Sequence, residues 1–367
     1  MAPRPAEVNV DERRVARALA VLEEGIGENA LPGGVVCALR RGQVFLHQAV
    51  GTLDGTRPAT LDTLYDVASL TKPIATAASV LTLVEQGRLT LTSSLPFLLG
   101  DDAATHLPGV TVHHLLTHTS GLPAWAACYE KGRGLDNAVA AVLRQPAAPA
   151  GTKYEYSCLN FILLSKIVGL VSGQTLDVFA RENVFAPLGL SDTGYRPDPA
   201  LRERIAPTRS KEKLADEDDP AAVLVGVVHD GNARGIEEGG ESVSGNAGLF
   251  STANDVAAFG EAIRRGGEAS LFGTPTLARC LESQIKPDIG AHTFLFFAQG
   301  NGYCPAGDLL SPRTVGHSGY TGTLLTLDPA HDLTVALLTN RVFCDPDGAK
   351  WLATRRKFLN ALAAALS

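Results

Sequence analysis

The chain has 367 residues, 45% of them hydrophobic, which is ample for a large buried core and too apolar for a disordered chain. A formal net charge of −7, with arginines scattered rather than gathered on one element, weighs against nucleic acid as a partner. No apolar run approaches the length of a membrane span, the charged Asp11 to Arg14 follow an N-terminus without an apolar leader, and Cys37, Cys128, Cys158, Cys280, Cys304 and Cys344 form no C-x-x-C pair. A cytoplasmic protein with reduced thiols, no membrane partner and no structural metal is the simplest expectation.

Residues 11 to 27 carry apolar positions at helical spacing (Val15, Leu19, Leu22, Ile26) and predict an amphipathic first helix. Two apolar runs, Gly34 to Leu39 and Val44 to Val50, flank Arg40-Arg41-Gly42-Gln43 and predict a hairpin. A polar loop then leads to Asp66-Val67-Ala68-Ser69-Leu70-Thr71-Lys72-Pro73. From Leu70 to Gln86 the apolar residues keep helical spacing, with Pro73 in the first turn and Gly87 as the cap. Further helices are expected over 112–117, 136–144 and 160–171, and the charge-dense stretch from Leu201 to Asp219 reads as a surface loop or flap. The runs Thr323 to Leu327 and Leu333 to Leu338 predict a second hairpin, and a helix from Gly348 to Leu366 closes the chain. Hairpins at both ends imply one antiparallel sheet built from both termini with a mostly helical region inserted, an α+β fold in a single domain over 1–367. Its α/β part would take 11–90 and 288–367, and its helical and loop-rich part 91–287.

Ser69 and Lys72 stand three apart, so at the start of a helix they share a face. Serine needs a base to act as a nucleophile, and a desolvated lysine can be one. The helix start also offers free backbone N–H groups that suit an oxyanion. A second S-x-x-K pair, Ser283 and Lys286, sits before Pro287 with no helix opening and reads as coincidence. His114 and His118, four apart with no glutamate between them, carry a weaker signal for metal than for structure.

Two more stretches join Ser69 to a pattern. They are Tyr154-Glu155-Tyr156-Ser157-Cys158, after a Pro/Gly loop, and His317-Ser318-Gly319-Tyr320, entering the late hairpin. With Ser-Leu-Thr-Lys they resemble, in order and spacing, the three signatures of the penicillin-recognising serine hydrolases: class C β-lactamases, D-Ala-D-Ala carboxypeptidases, D-aminopeptidases and β-lactamase-like carboxylesterases. His114 to Pro123 and Gly245 to Thr252 extend the resemblance.

That resemblance implies a β-lactamase/penicillin-binding-protein-like fold and a covalent acyl-enzyme on Ser69. Lys72 and Tyr156 would share its proton, and which of them is the base stays open. It places the oxyanion hole at the N–H groups of Ser69 and Tyr320, with His317 beside the substrate's acyl or carboxylate end, Ser318 in the same strand, and Gly319 letting substrate lie close to it. No cofactor is implied. The pattern departs from the family at Cys158, where an asparagine would present an amide to the substrate; a thiol is a weak donor and acceptor. Buried packing explains that cysteine better than a nucleophilic role. The expectation is a carboxylesterase on small acyl esters. The alternatives are an amide-cleaving β-lactamase, carboxypeptidase or aminopeptidase, and a non-catalytic scaffold. Oligomeric state is left open.

Overall fold

Strand β1 (Gly33–Arg40) is buried along its whole length, and its alternation explains why. Val35, Cys37 and Leu39 enter one apolar cluster while Val36 and Ala38 enter another on the opposite face. A strand covered on both faces belongs at the centre of a sheet. The computed structural model, which describes residues 5–209, 223–240, 242–267, 270–345 and 347–367, puts it there.

Strand β2 is Gln43–Gly51, and four strands follow late in the chain: β3 (Phe297–Ala298), β4 (Val315–Ser318), β5 (Leu324–Asp328) and β6 (Leu333–Thr339). The sheet runs β2-β1-β6-β5-β4-β3, every pair antiparallel. It is therefore built from both termini, as the two hairpins predict. Arg41 and Gly42, with φ of 53° and 83°, make the tight turn between β1 and β2.

One face of the sheet is covered by helix α1 (Glu12–Gly27) and the last helix, Ala349–Ala363, which close on each other. Asp11 caps α1 by accepting the N–H groups of Arg13 and Arg14, and Val15, Ala18 and Leu22 form its buried face. At Gly25 a Cβ would sit 2.6 Å from Thr354 Cγ2, so the two helices meet where only glycine allows it. The other face is covered by Ala253–Arg265, whose Gly260 would meet Leu325 and Leu327 with any side chain. That helix lies inside the 91–287 stretch yet packs on the sheet.

The expected helix from Leu70 divides into a 3₁₀ turn (Ala68–Leu70), a π-helical stretch (Lys72–Ala77) and α2 (Ala78–Glu85). Wide π turns are common where a helix must aim side chains at a site, and Pro73 has no N–H to give to a tighter one. A small sheet joins Tyr65–Asp66, Leu249–Ser251 and Gly194–Tyr195 behind this segment. Helix α3 is Cys158–Ser172, ended by Gly173 in the left-handed conformation. The expected flap falls mostly on 210–219, outside the described residues. Among the described residues no single helix is long and apolar enough to cross a membrane.

Candidate active site

Ser69 sits on a strained bend. Ala68, a non-glycine residue, has a φ of 48°, and its N–H is held by Asp66 Oδ1 at 2.8 Å. Two threonines of the β4–β5 turn clamp the same segment: Thr321 Oγ1 donates to Asp66 O at 2.7 Å and Thr323 Oγ1 to Val67 O at 2.9 Å. Gly319 belongs to this clamp. A Cβ there would lie 2.4 Å from Val67 O and 2.2 Å from Thr323 Oγ1, so its missing side chain makes room for the Ser69 segment rather than for substrate.

Lys72 is buried, at 1% exposure, yet fully occupied. Its Nζ lies 3.0 Å from Ser69 Oγ, 2.8 Å from Asn246 O and 3.4 Å from Cys158 Sγ. The carbonyl can only accept, so a neutral amine would give its two N–H groups to Asn246 O and one other partner, leaving its lone pair for the Ser69 hydroxyl. Tyr156 completes the cluster, with Lys72 Nζ 5.1 Å from its ring centre and a buried hydroxyl that makes no hydrogen bond of standard geometry.

Burial pulls the Lys72 ammonium down, whereas negative charge on Cys158 and Tyr156 pulls it up, to about 12 with both acting. Burial also raises the Cys158 thiol and the Tyr156 phenol, with Lys72 pulling each the other way. Both neighbours are therefore protonated at neutral pH, and the burial effect on Lys72 is then unopposed by them. The group titrates as a unit. It can take a proton from Ser69 and return one across the same cluster.

These residues open onto a cleft of about 610 Å³, whose walls include Ser69, Tyr156, Cys158, Ser318, Gly319 and Tyr320. His317 does not reach it. Its imidazole, 1% exposed, stacks on Phe297 at 4.4 Å behind the wall, with Nδ1 donating to Ser318 O at 3.1 Å. The expected contact between His317 and substrate is thus corrected: the sequence did not show that Phe297 and Tyr156 would cover the ring. Burial, Lys72 and His292 hold its pKa well below the ordinary histidine value.

Ser283 and Lys286 are exposed, away from the cleft, as the Pro287 signal implies. His118 holds the Tyr156 loop, its Nδ1 accepting the Ser157 N–H at 3.0 Å and its ring 4.7 Å from that of Tyr156. The sequence offered His118 as a weak metal candidate and as part of the His114 to Pro123 segment, without this positioning role. Among the described residues no group of three or more His, Cys, Asp or Glu is placed to hold a metal ion. Asp66, His229 and Asp230 also belong to the site: His229 donates its backbone N–H to Asp66 Oδ2 at 2.7 Å, and both His229 and Asp230 line the cleft.

The Beta-lactamase family model matches residues 18–359. The chain belongs to the Beta-lactamase family. It is a serine hydrolase of that family. Among its relatives, Esterase EstB of Burkholderia gladioli is 31% identical over 96% of this chain and 97% of its own. A "Putative D-alanyl-D-alanine carboxypeptidase" of Escherichia coli K12 is 31% identical over 82% of this chain and 72% of its own. Solved structures with the β-lactamase fold include EstCE1, a hydrolase with promiscuous acyltransferase activity, with a TM-score of 0.75 and 20% identity over 94% of this chain and 99% of its own. A penicillin-binding protein homologue from Pyrococcus abyssi superposes with a TM-score of 0.70 and 21% identity over 92% of this chain and 76% of its own. The expected α+β fold is thus the family's fold.

Proposed function

We propose that this Beta-lactamase family member is a cytoplasmic carboxylesterase acting on small acyl esters through a covalent intermediate on Ser69. Ser69 Oγ bonds to the acyl carbon as its hydroxyl proton passes to the Lys72 and Tyr156 pair, and the alcohol leaves with that proton. Water then enters by the same route in reverse and frees the acid. The N–H groups of Ser69 and Tyr320 are the proposed oxyanion hole.

The observation that carries the ester reading is the chemistry of the cleft wall. It holds no asparagine or glutamine among its described residues, and at the position where related hydrolases have an amide stands Cys158, its thiol 3.4 Å from Lys72 Nζ. A substrate with an amide side chain needs a partner there that both donates and accepts, which a thiol does only weakly; a small ester without such a side chain does not. Similarity to Esterase EstB supports the same reading. The cytoplasmic location is supported by the six free cysteines. Similarity to the putative carboxypeptidase supports amide cleavage as the alternative.

The test compares p-nitrophenyl butyrate, nitrocefin and D-alanyl-D-alanine with one preparation. Ester turnover is expected, falling by at least about a thousandfold in Ser69→Ala and unchanged in Ser283→Ala. Turnover of the amides alone would replace the ester reading. No turnover, with no acyl adduct on Ser69 by mass spectrometry, would leave a scaffold.

A further inference from the structure

The cysteines of the chain are not equivalent. Cys37, Cys128 and Cys280 are buried, while Cys158, Cys304 and Cys344 are partly exposed. Burial pushes the thiols of Cys304 and Cys344 up, to about 12 and about 11, and Cys304 has a carbonyl, Thr314 O at 4.0 Å, as its hydrogen-bond partner. Of these three, and among the described residues, only Cys158 has an amine at hydrogen-bond distance, and only Cys158 lines the cleft that holds Ser69.

The surroundings of Cys158 suit a sulfur that gives up its proton. It is the first residue of α3, a helix of 15 residues, so it stands at the end where N–H groups are free and the dipole favours negative charge. Lys72 Nζ lies 3.4 Å from Sγ, and the Asn246 amide acts on the same sulfur. Ser244 Oγ donates to Asn246 Oδ1 at 2.5 Å, which leaves the Nδ2 end for Cys158. That Nδ2, on a side chain only 1% exposed, has no partner of standard geometry. A thiol accepts weakly, so the amide N–H is poorly satisfied by it and better satisfied by a thiolate. Burial raises the free thiol, so the sulfur needs a base at the moment it reacts, and the amine that serves Ser69 is in place to be that base. Packing, which its sequence position suggests, does not account for a cysteine on the cleft wall.

We propose that Cys158 is a second nucleophile of the cleft, with Lys72 as its base, and that it reacts with small disulfides to form a mixed disulfide that shuts out ester. The Cys158 sulfur bonds to one sulfur of the incoming molecule, the S–S bond of that molecule breaks, and its other half departs as a thiolate. The Cys158 proton passes to Lys72 and on to the departing thiolate, so Cys158 is oxidised and the released half is reduced. Excess thiol runs the exchange backwards. Ser69 Oγ and Cys158 Sγ touch the same Nζ, at 3.0 and 3.4 Å, so a group carried on the sulfur stands in the way of an ester approaching the hydroxyl. The blockade rests on Ser69 being the acylated residue, as proposed above; the exchange at sulfur does not.

The test incubates the folded protein with hydroxyethyl disulfide, follows p-nitrophenyl butyrate hydrolysis, and maps adducts by peptide mass spectrometry. Cys158 is expected to be labelled at least about tenfold faster than Cys304 or Cys344. Ester turnover falls in step with that labelling, and dithiothreitol restores it. Lys72→Met slows labelling of Cys158 by at least about tenfold, since the base is gone. Whatever ester turnover Cys158→Ala keeps is untouched by the disulfide. Labelling confined to Cys304 or Cys344, equal labelling rates in the parent and Lys72→Met, or full ester turnover with Cys158 fully labelled overturns the proposal. Labelling persists in Ser69→Ala, because the exchange does not use the hydroxyl. A parent that labels at Cys158 yet turns over no ester therefore upholds the exchange and fails the ester reading alone.

Discussion

Asp66 shows how one buried carboxyl can serve a site at a cost to the fold. Burial pushes it up to about 6, against the pull of the His229 and Ala68 N–H groups it accepts. A value raised above that of the unfolded chain means the native state holds this proton the more tightly. The stabilisation is complete below about pH 4 and is lost as pH rises through about 6, leaving a buried anion that costs about 3 kcal/mol. In Asp66→Asn that titration is absent. The stability of the variant relative to the parent is expected to rise by about 3 kcal/mol between pH 4 and pH 7.5, read by urea unfolding at each pH; a difference constant across the range would show that the carboxyl does not titrate this way. At this scale the sequence was informative where residues act as a local pattern. Ser69 and Lys72 meet because their spacing brings them together. Asp66 and His118 gave no such signal, since what makes each matter is a partner from a distant part of the chain.

Among elements, the turn from β4 to β5 does most to hold Ser69 in place. It reaches across to the Ala68 bend through Thr321, Thr323 and the bare face of Gly319. Gly319→Ala puts a methyl group against backbone that is itself pinned, with an expected loss of about 1–3 kcal/mol in stability. Because the bend moves with it, kcat should fall by more than KM changes, measured with p-nitrophenyl butyrate at a temperature where the variant is fully folded; unchanged kcat would separate the turn from the bend. The long helices and both hairpins were readable because each repeats its apolar period over several turns or pleats. The short strands Tyr65–Asp66, Gly194–Tyr195 and Phe297–Ala298 were not, since two residues carry no period. The same limit hid His317's burial, as the ring that covers it belongs to the shortest strand of the main sheet.

For the molecule as a whole, the two ends of the chain are parts of one structure. Asp11 N donates to Ala365 O at 2.9 Å and Ser367 N to Asn9 O at 3.1 Å, while Trp351, Phe358, Leu359 and Leu362 are buried against the sheet and α1. Removing residues 349–367 strips that face bare, and the shortened chain is expected to show no cooperative thermal transition and to bind a hydrophobic dye; a sharp transition would mean the helix is an accessory. The strand order carries a further consequence for how the protein is made. Strand β1 pairs with β2 at once, but its other edge waits for β6, so a ribosome that has not yet translated Leu333 to Thr339 displays an apolar hairpin with nothing beside it. Synthesis thus leaves this segment exposed through most of translation, and the nascent chain is most in need of a chaperone just before its final strands emerge.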